Sequence, residues 1–457
     1  MNATSNGTQD TRLYAYAQET EAAFDRIEAC LKAVSAEPYD RDFVTRAQRR
    51  VREQLGFPLN ANVLEQAWIQ GLDIPRLYAE ALFRTANHVG QEFFHEDPLG
   101  GRATDGFQSF IEACGFHAVA VAPCADGRLA HLVSYVLRLP HGGVHRQSFA
   151  GALFDVEEAV DRWTEVELRR FREGQPNTAD APTRYLQIAT YHYSSSGPEF
   201  GCAAHGGDER KAASAALDRL DAFRTAIQNS FCCGASIDLL LIGMDTDTDT
   251  IRLHLPDAAG TVTRGCYVDT AALEGSREAD AIETAMARAY ENAGLEPARE
   301  GMRQFIAHLA RNNLAHRAYV HEHHNGRYSE LGHGERFIAV GSGFYEFRLR
   351  NLAFFAHMDT VEEGASDLDV GIGLFEKMNV ARGLPIPIVL RYEYSGSVPG
   401  SRERAAARCE RVSAAIAARY PKLWEAGRLH LHRTVRDGDG HAPPEILGST
   451  VGAYLED

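Results

Sequence analysis

Apolar positions recur at helical spacing through the first quarter of the chain and as short runs after it. Leu13, Tyr16, Phe24, Ile27, Leu31 and Val34 lie on one face of a helix that Glu37-Pro38 closes. Further helices are expected over 42–55, stopped by Gly56-Phe-Pro58, over 62–70 and over 75–94, which completes an all-helical segment. Residues 1–10 are polar and are expected to be disordered. Beyond Asp97-Pro-Leu-Gly-Gly101, read as a linker, short apolar runs alternate with amphipathic stretches, the pattern of an α/β fold. Strands are expected at 116–122, 186–193, 237–242, 352–356, 388–394 and 429–433, with helices at 107–114, 157–172, 208–228, 279–293 and 300–316. The apolar stretch 129–139 fits either a helix or a strand.

Two stretches match in order as well as in composition. Ile188-Ala-Thr-Tyr-His192-Tyr-Ser parallels Val389-Leu-Arg-Tyr-Glu393-Tyr-Ser. Each leads into a charged, Ala-rich helix and then a strand ending in alternating acids, Asp245-Thr-Asp247 and Asp437-Gly-Asp439. Upstream, Ala122-Pro-Cys124-Ala-Asp126 can be laid on Phe355-Ala-His357-Met-Asp359. The chain therefore reads as α/β, with α+β parts, containing a duplicated unit. The expected division is a disordered tail (1–10), a helical domain (11–98), a chemistry-bearing α/β domain (99–345) and a degenerate repeat of it (346–457).

Composition narrows the function without naming it. At 457 residues the chain exceeds a single core. A formal net charge of -16 speaks against a nucleic-acid partner, which needs a basic face. No stretch approaches 18 consecutive apolar residues, so no transmembrane helix is expected, and the N-terminus lacks the basic and apolar regions of a signal peptide. The cysteines (Cys30, Cys114, Cys124, Cys202, Cys232, Cys233, Cys266, Cys409) form no regular framework. They read as free thiols or metal ligands in a reducing, cytoplasmic setting.

The chemistry concentrates where the run Ala118-Val-Ala-Val-Ala122 ends in Cys124-Ala-Asp126-Gly-Arg128. Downstream, His192 and Cys202 offer an imidazole and a second thiol. Two thiolates and one imidazole make a three-ligand zinc set with an open fourth position, the layout of catalytic zinc. His205 offers an alternative third ligand, because Cys202-x-x-His205 is itself a plausible pair. His321-Glu-His323-His324 reads as an exposed loop, Asp245-Thr-Asp-Thr-Asp249 as a solvated strand end lacking the rest of a calcium loop, and Cys232-Cys233 as core. No Gly-rich phosphate loop is present.

The order Cys-x-Asp-x-Arg, His, Cys resembles the β-class carbonic anhydrases. Nine residues separate His192 from Cys202 here, where the usual β-class spacing is two. That longer loop, the helical N-terminal run with Arg12-Leu-Tyr-Ala-Tyr and Phe24-Asp-Arg-Ile, the motif Gly201-Cys-Ala-Ala-His-Gly and the degenerate second copy resemble the shell-associated carbonic anhydrases of α-type carboxysomes (the CsoSCA family). The resemblance implies one Zn2+ per chain on Cys124, His192 and Cys202, with Asp126 and Arg128 as a dyad that gates and orients a zinc-held hydroxide. It implies reversible hydration of CO2 to bicarbonate inside a bacterial carboxysome, supplying CO2 to Rubisco. The expected partners are a second copy in a homodimer or larger assembly, and Rubisco or shell proteins. The competing reading is a non-catalytic scaffold or Rubisco-binding protein whose zinc is structural.

Overall fold

The computed structural model describes residues 3–99, 106–140, 143–178, 180–231, 236–276, 280–358, 361–440 and 442–452. Four helices come first: α1 (Ala3–Ser35), α2 (Phe43–Leu55), α3 (Ala61–Gln70) and α4 (Ile74–Glu96). Helix α1 already includes residues 3–10, so the expected disordered tail is helical from Ala3. The local stops are those the sequence carries. Gly56 takes φ 80° after α2, Asn60 caps α3 by accepting from the Asn62 N–H, and Asp73 caps α4 with Pro75 in its first turn.

The middle of the chain runs α5 (Phe107–Ala113), β1 (Ala118–Pro123), β2 (His145–Arg146), α6 (Val156–Arg172), β3 (Arg184–Tyr193), α7 (Glu209–Phe231), β4 (Ser236–Asp245), β5 (Ile251–Pro256), β6 (Val262–Asp269), α8 (Ala281–Ala293) and α9 (Glu300–His324). Its sheet has the order β2-β1-β3-β4-β5-β6; β1 pairs in parallel with β2 and β3, and β3 with β4, while β5 and β6 are antiparallel. Buried on both faces, β3 and β4 are near-continuous apolar runs, as parallel strands must be. The stretch 129–139 is neither helix nor strand of ordinary kind. It forms a 3-10 turn (Gly127–Leu129) and a π turn (Leu132–Val136), with Leu129, Leu132, Val133 and Val136 all buried.

The remainder runs β7 (Phe337–Gly341), β8 (Ala353–Ala356), α10 (Val361–Met378), β9 (Ile386–Tyr394), α11 (Ser401–Arg419), α12 (Pro421–Glu425), β10 (Leu429–Asp437) and β11 (Glu445–Ser449). The sheet order is β11-β10-β9-β7-β8. Contacts divide the chain into two compact units, Arg102–His333 and Met1–Gly101 with Gly334–Asp457. The division falls at 333/334 and not at the expected 345/346, because β7 pairs with β8 and β9. The N-terminal helices belong with this second sheet: Phe24 packs on Phe337 and Phe347, and the Tyr16 hydroxyl donates to the Glu346 carbonyl at 2.9 Å.

Strand order and register establish the duplication. The series β2-β1-β3-β4-β5 and β8-β7-β9-β10-β11 have the same order, with α6 and α10, then α7 and α11, as the crossovers. The loops repeat too. Asp245 accepts from the Asp247 and Ser195 N–H groups, and Asp437 accepts from those of Asp439 and Gly396. One expectation is corrected. Val121 pairs with Ile188 as Ala339 pairs with Val389, so β1 corresponds to β7, and Cys124 to Ser342 rather than to His357. A 3-10 turn follows each strand, at Gly127–Leu129 and at Tyr345–Phe347. His357 follows β8, the counterpart of β2. Asp359 and the Cys232-Cys233 pair lie outside the described residues.

Candidate functional site

Three elements of the 102–333 unit bring the site together. Strand β1 ends at Pro123, and the Cys124 N–H donates to the Thr190 carbonyl, tying the tip to β3. His192 lies near the end of β3, wholly buried, its backbone in register with Met244 of β4. Cys202 sits between two 3-10 turns, Pro198–Phe200 and Ala203–His205. That loop closes tightly: Gly207 has φ 80°, and a Cβ on it would meet the Pro198 carbonyl oxygen at 1.8 Å.

Cys124, His192 and Cys202 each offer one ligand atom, all within 4.8 Å of one another, and all three are buried. The two sulfurs are 3.9 Å apart, a separation suited to two thiolates at ~2.3 Å from one tetrahedral ion. The Gly151 N–H donates to Cys124 Sγ at 3.2 Å. Both ring nitrogens of His192 are buried without a well-aligned hydrogen bond, Nε2 having only the Asp126 carboxylate at 3.2 Å. A cation between the imidazole and the sulfurs would satisfy a nitrogen that the protein leaves short of a good donor or acceptor.

The charges point the same way. Hydrogen bonding to Cys202, with burial, drives the Cys124 thiol well above its ordinary value, while the same bond lowers Cys202. Two thiolates side by side need positive charge between them. Burial would lower the pKa of His192, but the Asp126 carboxylate and Cys124 outweigh it and raise it to about 9. The donor set fits a soft divalent ion such as zinc.

Asp126 and Arg128 stand at the same tip. Asp126 Oδ1 accepts from the Arg128 backbone N–H at 3.0 Å and from Nε at 2.9 Å, and Oδ2 accepts from Nη2 at 2.7 Å. Arg128 also donates through Nη1 to the carbonyls of Phe200 and of Leu331 (2.9 Å), and through Nη2 to that of Gly201 (3.3 Å). Burial would raise the Asp126 pKa, but Arg128, His333 and His192 hold it well below the usual carboxylate range. Asp126 Oδ2 lies 3.2 Å from His192 Nε2 and 3.8 Å from His333 Nε2. His333 is a site neighbour that no sequence motif singles out.

Other candidates fall elsewhere. His205 does not join the set; its Nε2 lies 3.4 Å from the Gly151 carbonyl. His321–His324 form the last turn of α9, not a loop, and His321 pairs with Glu274 at 3.2 Å. The acids after β4 are not solvated: Asp245, Asp247 and Asp249 are all buried. Ser194, Ser195 and Ser196 hydroxyls and Arg327 satisfy Asp247, and His131, His316 and Tyr328 converge on Asp249.

Among the described residues of the second copy the same positions hold no metal set. Ser342 stands for Cys124 and Glu393 for His192. Arg391, at the place of Thr190, is 98% buried and pairs at 2.6 Å with a wholly buried Glu346, which occupies the place of Arg128. Arg436 pairs with Glu393. Ion pairs fill what the first copy leaves for a cation.

Comparison with known families gives one answer along the whole chain. Residues 106–333 match the catalytic-domain model described as Carboxysome Shell Carbonic Anhydrase, residues 334–451 its C-terminal model and residues 3–94 its N-terminal model. A carboxysome shell carbonic anhydrase of Prochlorococcus marinus (strain MIT 9313) is 49% identical over 451 residues, covering 96% of this chain and 87% of that protein. One from Parasynechococcus marenigrum (strain WH8102) is 49% identical over 456 residues, covering 98% and 79%. One from Halothiobacillus neapolitanus is 44% identical over 441 residues, covering 93% and 86%.

Proposed function

Because the chain belongs to the carboxysome shell carbonic anhydrase family, we propose that it interconverts CO2 and bicarbonate at a zinc site formed by Cys124, His192 and Cys202. The single observation that carries this is the convergence of two buried sulfurs and a buried imidazole beside an ion-paired carboxylate. Zinc held there supplies the Lewis acidity that ionises a water near neutral pH, the effect for which carbonic anhydrases are the reference case.

The chain's own residues do the rest. Arg128 grips both oxygens of Asp126 and holds the carboxylate in one orientation. Kept ionised and in place, Asp126 would accept a hydrogen bond from the attacking water and aim it. Two thiolates would give a bound ion more negative charge than imidazoles would, so the site would rely on its buried surroundings to ionise a water. The carboxysome setting, CO2 supply to Rubisco and pairing into a homodimer belong to the same proposal and rest on the family.

Zinc coordination tests the reading. X-ray absorption on the purified protein should give two sulfurs, one imidazole nitrogen and one light-atom ligand that exchanges. A closed sphere of four Cys or His ligands would instead support a structural zinc in a scaffold. Among the described residues no fourth cysteine or histidine joins the set.

A further inference from the structure

The turn after β4 carries a buried cluster that the chemistry above does not use. Asp249 Oδ2 accepts three hydrogen bonds: from His131 Nε2 at 2.7 Å, from His316 Nε2 at 2.8 Å and from the Tyr328 hydroxyl at 2.7 Å. Asp249 is wholly buried, and His131 and His316 nearly so. These contacts are at hydrogen-bond distances on a single oxygen and form a bonded network; the ligand atoms of His131, Asp249 and His316 also lie close enough together to hold an ion.

Three chain segments meet on that oxygen. His131 follows the dyad turn Gly127–Leu129, His316 belongs to α9, and Tyr328 begins the segment leading to Leu331 and His333. The same segment covers the dyad, since Leu331 gives its carbonyl to Arg128 and His333 faces Asp126. Asp249 itself has φ 59°, the left-handed region that aspartate and asparagine adopt more readily than most residues, and Asn313 Nδ2 holds its carbonyl at 2.8 Å.

The duplication supplies an internal control. The acids at 245 and 247 recur at 437 and 439 with the same backbone partners, so they belong to the fold. In sequence the acid at 249 has no counterpart: His441 stands at the place of Asp249 and Leu349 at the place of His131. We infer that Asp249 is a positioning residue for the reaction, a carboxylate clamp that fixes the 328–333 segment over the Asp126–Arg128 dyad in the copy that performs chemistry.

The inference rests on the proposed zinc hydrase reading only through its rate arm. In the full-length protein, hydrogen exchange at residues 325–333 would be compared with β1 and β3, with and without zinc, alongside CO2 hydration. Asp249→Asn should speed exchange at 325–333 by roughly tenfold while the strands stay protected. Hydration should fall about a hundredfold, the scale of a 1 Å misplacement, with bound zinc undiminished. His131→Gln, which keeps an N–H at the reach of Nε2, should retain both properties, and His131→Leu should lose both. If Asp249→Asn fails to fold, Tyr328→Phe carries the test with the same signs at smaller amplitude. The clamp is overturned by unchanged exchange at 325–333, by exchange that rises equally in the strands, by a loosened segment with full hydration, or by His131→Gln matching His131→Leu. A wild-type protein without zinc-dependent hydration would overturn the functional reading itself and leave the exchange arm standing.

Discussion

Asp126 and Arg128 are joined through both oxygens of the carboxylate and two nitrogens of the guanidinium, with the arginine wholly buried and the aspartate 3% exposed. Breaking a buried pair by removing one partner costs about 3–5 kcal/mol, which sets a strict demand on this tip. Arg128→Ala is expected to abolish hydration with zinc still bound, because a released Asp126, whose Oδ2 is already 3.2 Å from His192, can turn onto the metal. Stopped-flow hydration with metal analysis checks this. Retained turnover in that variant would end the dyad's proposed role.

The second copy should matter for stability and not for chemistry. Glu346→Gln leaves Arg391 buried without its 2.6 Å partner, and a loss of about 3–5 kcal/mol is expected. Chemical denaturation would measure it, and hydration per folded molecule should stay at the wild-type level.

Much of this arrangement is legible in the sequence. The parallel strands β1, β3, β4 and β9 each hold a mostly apolar run, and Cys124-x-Asp-x-Arg is local, so both can be read directly. Strand β5 is hidden because it carries Arg252 and His254, and the buried His254 is hydrogen-bonded to Tyr191, sixty-three positions away. The acids at 245–249 look solvated for the same reason: the serines, arginine and histidines that satisfy them come from other segments. Arg128 finds carbonyl partners 72 and 203 positions on, and His333 reaches the site by that same route. The sequence repeat locates Glu393 correctly but misplaces the counterpart of Cys124, since only strand pairing distinguishes β7 from β8.

Acid should weaken the unit that contains β10. Burial holds His432 at about 4, with Arg391 and Arg433 adding to the effect, and burial with Arg76 holds His430 at about 4. Both lie below the ordinary 6.5, so the fold favours the neutral rings while the unfolded chain takes protons first. Stability is complete above 6.5 and falls as pH drops from 6.5 towards 4, by about 3 kcal/mol for each ring. Thermal melts across this range should show the decline, and His432→Gln should reduce it.

Metal removal should be felt beyond activity. Without a cation, the buried nitrogens of His192 make no well-aligned hydrogen bond, and an ion bound only to the folded state stabilises it by mass action. Chelated protein is expected to melt lower and to recover on adding zinc, which differential scanning calorimetry would report. An unchanged melting temperature would argue against a bound ion at this site.

The most direct test of the account compares wild type with Cys124→Ser, both zinc-supplemented, by stopped-flow CO2 hydration. Rapid wild-type hydration and loss of it to the uncatalysed background in Cys124→Ser is the predicted result. Equal rates in the two proteins would contradict the claim that the tip of β1 carries the chemistry.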